Sequence, residues 1–302
     1  MAKKSIPVIL HTDLGTDIDD SWALLMLLRQ KQLKPLMVLS DTGDAAYRAA
    51  IAARILETAG RTEVEVGIGC SDDDKRCVKT LGPWMKSYDI REYPGKVHED
   101  GAARAVEIIR ASKEPVTLIS IGPCPAVAKM LAMAPEITGK VNFVGMFGSV
   151  YLGYNGKPGR CPEYNVYMNQ KASKKVLQAP WLSSRITPLD TCGLVKLNKE
   201  FFAELTASKD KDVKLLMDAV AAWRKFHKSA ETDVSSILFD TVAVHMASSL
   251  DYLYMQEIPL LVDKKGQTVP NCRYGRPTQV AVGWKDLNGY YRFLVDTLLG
   301  KK

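Results

Sequence analysis

No apolar run in this 302-residue chain approaches the ~20 residues that a helix needs to cross a bilayer. A helical membrane span is therefore not expected. The six cysteines (Cys70, Cys77, Cys124, Cys161, Cys192, Cys272) never fall at Cys-x-x-Cys spacing and are too sparse for a disulfide scaffold. Reduced thiols in a cytoplasmic protein are the default expectation. No Gly-Lys-Ser or Gly-Lys-Thr closes a phosphate-cradling loop, and no acidic run has the spacing and closing glutamate of an EF-hand. The net charge of +7 is spread, with small clusters at Lys171-Lys174-Lys175 and Lys209-Lys211. No basic stripe carries interleaved aromatics, which argues against a nucleic-acid partner. Internal repeats and linkers are absent, and Met1-Ala2-Lys3-Lys4 runs straight into the first apolar segment without an apolar leader.

The composition is that of an ordinary globular protein, 46% hydrophobic and 25% charged. The length is near the upper limit for one hydrophobic core, so one domain over 1–302 is expected. Within it, residues 8–25 dominate. Val8-Ile9-Leu10 reads as a buried strand, an acidic loop with Gly15 follows, and an amphipathic helix opens at Asp19-Asp20. Four carboxylates, Asp13, Asp17, Asp19 and Asp20, lie within eight residues and repel one another unless a positive charge sits among them. Asp19 and Asp20 can act on the helix N-terminus, and Asp17 can be a turn residue. Asp13 needs neither explanation. It stands at a strand's carboxyl end, where open α/β sheets bind ligands. Hard oxygen donors at this density favour calcium or magnesium over zinc.

Strand and helix patterns then alternate. An apolar run at 35–40 ends at Asp44, a helical pattern covers 45–59 with Gly60 as its stop, and a third strand covers 64–68. Such spacing predicts crossovers and a mainly parallel, Rossmann-like sheet flanked by helices. It also puts Asp44 at the same sheet edge as Asp13. The polar stretch 70–100 is too long for a plain connector and is expected to lie over the site. Glu163 and Asn165, two apart, would point the same way on an extended segment and could grip a diol. A helical pattern runs from 199 to 228, placing Trp223 and His227 on one face. Asp240 opens a further apolar helix.

Taken together, His11-Thr12-Asp13-Leu14-Gly15, Asp19-Asp20, the turn Gly122-Pro123-Cys124-Pro125-Ala126, Glu163-Tyr164-Asn165, Leu189-Asp190-Thr191 and Phe239-Asp240 resemble the signature blocks of the inosine–uridine-preferring nucleoside hydrolases. The departures are His11 for an aspartate, the Asp17-Ile18 insertion, Pro125-Ala126 for threonine-asparagine, and Phe239 for a histidine. Another register puts Asp17 and Ile18 at the paired positions, but Ile18 cannot bind metal.

The resemblance implies calcium held by Asp13, Asp20, Asp240 and the Pro125 carbonyl, with Asp13 as general base. It implies substrate contacts from Asp19, Glu163, Asn165 and Asn155, and stacking by Trp223. Asp44 joins the substrate contacts by its place at the sheet edge, and His227, on the same face as Trp223 and with a pKa near neutrality, is the expected acid for the leaving base in place of Phe239. The expected reaction is hydrolysis of a ribonucleoside to base and ribose, by a homodimer or homotetramer. Two other readings stand beside it. One is a nucleoside- or ribose-binding protein on the same fold that has lost turnover. The other is a metal-dependent phosphatase with Asp13 as nucleophile.

Overall fold

The computed structural model describes residues 5–301. The N-terminal Met1-Ala2-Lys3-Lys4 and Lys302 lie outside the described residues. In chain order the elements are β1 (Ile6–Thr12), α1 (Asp19–Arg29), β2 (Leu33–Ser40), α2 (Ala45–Thr58), β3 (Glu65–Ile68), the one-turn α3 (Gly82–Met85) and β4 (Val97–His98). There follow α4 (Gly101–Ala111), β5 (Val116–Ser120), α5 (Pro125–Met133), β6 (Val141–Met146), the short α6 (Tyr164–Met168), α7 (Gln170–Gln178) and β7 (Ser183–Thr187). The last part comprises α8 (Lys199–Thr206), α9 (Lys211–His227), α10 (Thr241–Met246), β8 (Leu253–Val262), β9 (Thr268–Pro270), β10 (Arg276–Trp284) and α11 (Leu287–Leu298).

The strands form one ten-stranded sheet in the order β4-β3-β2-β1-β5-β6-β7-β10-β8-β9. Pairing is parallel from β4 through β7 to β10 and antiparallel only among β10, β8 and β9. The expected mainly parallel α/β architecture is present. Alternation along β1 explains the two cores: Val8 and Leu10 join one buried cluster with Trp22 and Leu24, and Ile9 joins another with Met37, Leu39 and Val127. A side-chain period of two sends successive residues to opposite faces, so this short strand anchors both layers. Its register with β2 slips between Val8 and Ile9, opposite Pro35, which has no N–H to give to the ladder.

Chain order reverses at β1, with β2 on one side and β5 on the other. That is the switch point where a crevice opens beyond the strand ends, and Asp13 directly follows β1. Three local expectations are revised. The 163–165 segment is not extended, because Glu163 is the N-cap of α6 and Asn165 lies within it. The helical pattern at 199–228 splits into α8 and α9, with Asp210 capping the second helix. Stretch 70–100 puts no side chain into the cavity described below. It packs beside the acidic loop instead, where the Thr80 N–H and hydroxyl both donate to the Gly15 carbonyl.

Candidate active site

A cavity of about 280 Å³ sits beyond the carboxyl ends of the central strands. Its wall includes the carboxylates Asp13, Asp17, Asp19, Asp20 and Asp240, together with Tyr154, Glu163, Asn165 and Phe239. Asp19, Asp20 and Asp240 are buried and can present carboxylate oxygens that all lie within 4.8 Å of one another. The first two come from the first turn of α1 and the third is the N-cap of α10, so helices from distant parts of the chain aim their positive ends at one point. Ile18 is buried in the apolar core. The structure thus brings Asp19 and Asp20, not Asp17 and Ile18, up to Asp240.

Burial and mutual repulsion dominate the electrostatics. Asp19, Asp20 and Asp240 are held well above the usual carboxylate range, first by desolvation and then by neighbouring aspartates. The Asp19 and Asp240 carboxyls share a hydrogen bond, and Asp20 accepts from the Thr12 hydroxyl. Asp13 is also raised by burial, but Arg48 and His11 oppose the shift.

Arg48, buried on α2, was not anticipated from the sequence. Its guanidinium donates to the backbone carbonyls of Asp13, Leu14 and Thr42 and to the Thr16 hydroxyl. It therefore shapes the acidic loop and spreads positive charge beneath it without neutralising any one carboxylate by contact. Behind Asp13 the chain approaches closely at Gly122, where an added Cβ would come within 2.6 Å of an Asp13 carboxylate oxygen.

His11, the departure next to Asp13, is fully buried and bridges the Ser120 hydroxyl and the Asp41 carboxylate, at 2.8 Å each. Asp41 in turn accepts the backbone N–H groups of Thr42, Cys70 and Ala126. This network ties β1, β5 and the start of α5 together below the cavity. His11→Ala is expected to leave Asp41 buried with one partner fewer and to cost about 3 kcal/mol. Urea unfolding would read this as a lower midpoint at unchanged slope; an unchanged midpoint would show that the network carries no stability.

Also in the cavity wall, Glu163 accepts backbone N–H groups from Gly148, Asn165 and Val166. Burial raises its pKa to about 7 against the lowering effect of these bonds. Most of its acceptor capacity goes to capping α6, which the two-residue spacing did not reveal. Asn165 is fixed by donating from its amide nitrogen to the Ile121 and Met146 carbonyls, at 3.1 and 3.0 Å. Its amide oxygen is left as an acceptor on a residue that lines the cavity. The loop 147–160 is clamped by Asp190, whose carboxylate accepts the N–H groups of Val150, Tyr151 and Leu152. Tyr154 from that loop meets Phe239 edge-on, with ring centroids 6.3 Å apart.

Other candidates lie outside the cavity wall. Asp44 is the N-cap of α2, accepts from the Tyr47 N–H and pairs with Lys79. Asn155 is exposed in the left-handed backbone region, at φ 59°, so its side chain turns with the loop. Pro125 starts α5 beneath the crevice and is not among the lining residues. Trp223 and His227 do share a helix face, with tilted rings 4.6 Å apart between centroids, but neither lines the cavity and His227 is exposed at the end of α9. Its influence on the site is electrostatic: burial raises the pKa of Asp17, and His227 partly opposes that shift.

An acidic crevice with hard oxygen donors and a fixed amide, at the switch point of a parallel sheet, defines a hydrolase-type site on a doubly wound scaffold. The family model described as inosine-uridine preferring nucleoside hydrolase matches residues 8–289, and the chain belongs to that family. It is accordingly an enzyme acting on N-glycosidic bonds. The pyrimidine-specific ribonucleoside hydrolase RihA of Shewanella sp. strain MR-7 is 25% identical over 317 residues, covering 97% of this chain and 96% of the relative. The RihA of Shewanella sp. strain ANA-3 is 28% identical over 198 residues, covering 63% of this chain and 59% of the relative.

Two solved structures share the fold, each at 20% identity and a TM-score of 0.81. They are the plant nucleoside hydrolase PpNRh1, covering 97% of this chain and 99% of that one, and a purine-preferring ribonucleoside hydrolase from Gardnerella vaginalis, covering 98% of each chain. The names of these relatives differ in the base they prefer.

Proposed function

We propose that this enzyme hydrolyses the N-glycosidic bond of a ribonucleoside with the help of one calcium ion. The observation that carries the reading is the convergence of Asp19, Asp20 and Asp240 with Asp13 and the Asn165 amide oxygen on one cavity. The donor set fits a hard divalent cation: burial and then neighbouring aspartates raise the pKa of all three carboxyls, and the nearby Arg48 spends its hydrogen bonds on carbonyls and a hydroxyl. Asp20 and Asp240 would hold the ion, with Asp13 and Asp19 beside it. When bound, calcium supplies Lewis-acid chemistry that lowers the pKa of water.

Asp13 accepts the proton of the attacking water. The water oxygen bonds to C1′ of the sugar, and the C1′–N electron pair leaves with the base through an oxocarbenium-like state, as in other glycoside hydrolyses. Asp19 and the Asn165 amide oxygen are two acceptors, matching the two O–H donors of a ribose cis-diol. Glu163 holds Asn165 in place through its backbone N–H. The same reading takes the enzyme as a cytoplasmic salvage hydrolase acting as a homodimer or homotetramer, consistent with six free cysteines.

Incubation with a panel of ribonucleosides and assay of free ribose tests the reading. Activity should vanish on chelation and return with calcium; full activity after chelation, or recovery with zinc alone, would remove the metal assignment. A stability readout accompanies it. Asp13, Asp19, Asp20 and Asp240 have folded pKa values raised above the ordinary carboxylate value, so ionising them works against folding. That cost is present above the folded pKa values and is relieved as pH falls and the carboxyls take up protons. Calcium replaces those protons as the counter-charge. The metal-free protein should therefore lose stability as pH rises, and calcium should raise Tm more at about pH 7.5 than at about pH 5. At a hundredfold excess over Kd, the gain is about 2.7 kcal/mol.

A further inference from the structure

Departure of a nucleobase needs a hydrogen-bond donor near its nitrogen, because the C1′–N electron pair moves onto the ring. Phe239, on the cavity wall beside Asp240, has no polar atom to offer. Given the hydrolase reading above, we infer that the Tyr154 hydroxyl is that donor. Its oxygen is pinned by accepting the Tyr164 backbone N–H at 2.9 Å, so its own hydrogen must go elsewhere. Among the described residues it has no acceptor within the chain, while the ring lines the cavity and meets Phe239 edge-on.

The loop that carries Tyr154 is held rigidly enough for the task. Asp190 accepts three consecutive N–H groups from it. Ser149 also exchanges two hydrogen bonds with the Thr268 hydroxyl, at 3.0 and 2.9 Å. A tyrosine phenol is protonated at neutral pH in any case, and partial burial followed by the Glu163 charge moves the Tyr154 pKa further up. A phenol so poised donates a hydrogen bond rather than its proton: the C1′–N pair leaves with the base, the water proton goes to Asp13, and the departing base takes its proton from solvent. His227, at the end of α9, is not among the residues that line the cavity.

Wild type, Tyr154→Phe and His227→Ala are compared on inosine and on p-nitrophenyl riboside, whose leaving group needs no such donor. Tyr154→Phe should lose about 10² in kcat on inosine, the scale of removing one transition-state donor, and keep its rate on the nitrophenyl substrate. His227→Ala should match wild type on both. Tyr154→Phe retains the ring contact with Phe239, and an unchanged calcium-induced rise in Tm verifies its fold. Equal losses on both substrates would make the hydroxyl a prop for the Tyr164 backbone and overturn the inference, as would no loss on either. An inosine-specific loss in His227→Ala with Tyr154→Phe intact would transfer the role to His227. Wild type inert on both substrates and on the whole ribonucleoside panel would instead overturn the ribonucleoside reading itself, whereas activity on another nucleoside alone would move the same comparison to that substrate.

Discussion

Asp13→Asn should lower kcat on inosine by about 10³ or more while the protein still retains calcium through dialysis. Asparagine matches the shape of aspartate but cannot take the proton of the attacking water. The Arg48 bonds at this residue go to its backbone carbonyl, so the loop keeps its support. Asp20→Ala and Asp240→Ala should behave differently, losing both the metal and the activity, because they belong to the carboxylate group that gathers at one point. Elemental analysis beside steady-state kinetics separates the two roles. Unchanged kcat in Asp13→Asn would remove it as the base, and loss of calcium from that variant would make it a ligand as well. Calcium bound normally by Asp20→Ala would direct attention to Asp17, which lines the same cavity.

The second large effect concerns the sugar. Replacing inosine by its 2′-deoxy analogue should reduce kcat/KM by about 10⁴. A site built to hydrogen-bond a hydroxyl leaves its own buried polar groups unpaired when that hydroxyl is missing. The groups at stake are the Asp19 carboxylate and the Asn165 amide oxygen, the latter held in orientation by two carbonyls behind it. Asn165→Ala should compress the ribo/deoxy ratio as well as lower the rate on inosine. Comparable rates on the two nucleosides would eliminate the diol grip and leave the polar wall of the cavity without a function.

Much of the scaffold follows from local chemistry that the sequence carries openly. Alternating apolar residues in β1, acidic residues in the first turn of α1, and glycine or aspartate at strand and helix ends are short-range signals, and they specify strand, loop and helix wherever the chain goes. They marked the sheet class and the acidic edge, including Asp13, Asp19-Asp20 and Asp240. Which carboxylates meet depended on packing between elements more than 200 residues apart, as with Asp19 and Asp240. The same holds for Arg48, which reads as one more polar residue of a helix until the fold tucks it under the acidic loop.

Tertiary structure also decided against sequence proximity. Asp44 stands at a strand's carboxyl edge yet caps its own helix and pairs with Lys79, so its carboxylate is engaged locally and does not line the cavity. Glu163 looked free to bind a sugar, but the turn into α6 delivered three backbone N–H groups to it. His227 and Trp223 share a helix face as their spacing requires, but only the direction of α9 determines whether that face meets the cavity. Tyr154 had no signal of its own; its place depends on Asp190, 36 positions later, clamping the loop that carries it. Local patterning depends on neighbours a few residues away, whereas a site is assembled by side chains whose separation along the chain says nothing of their distance in space.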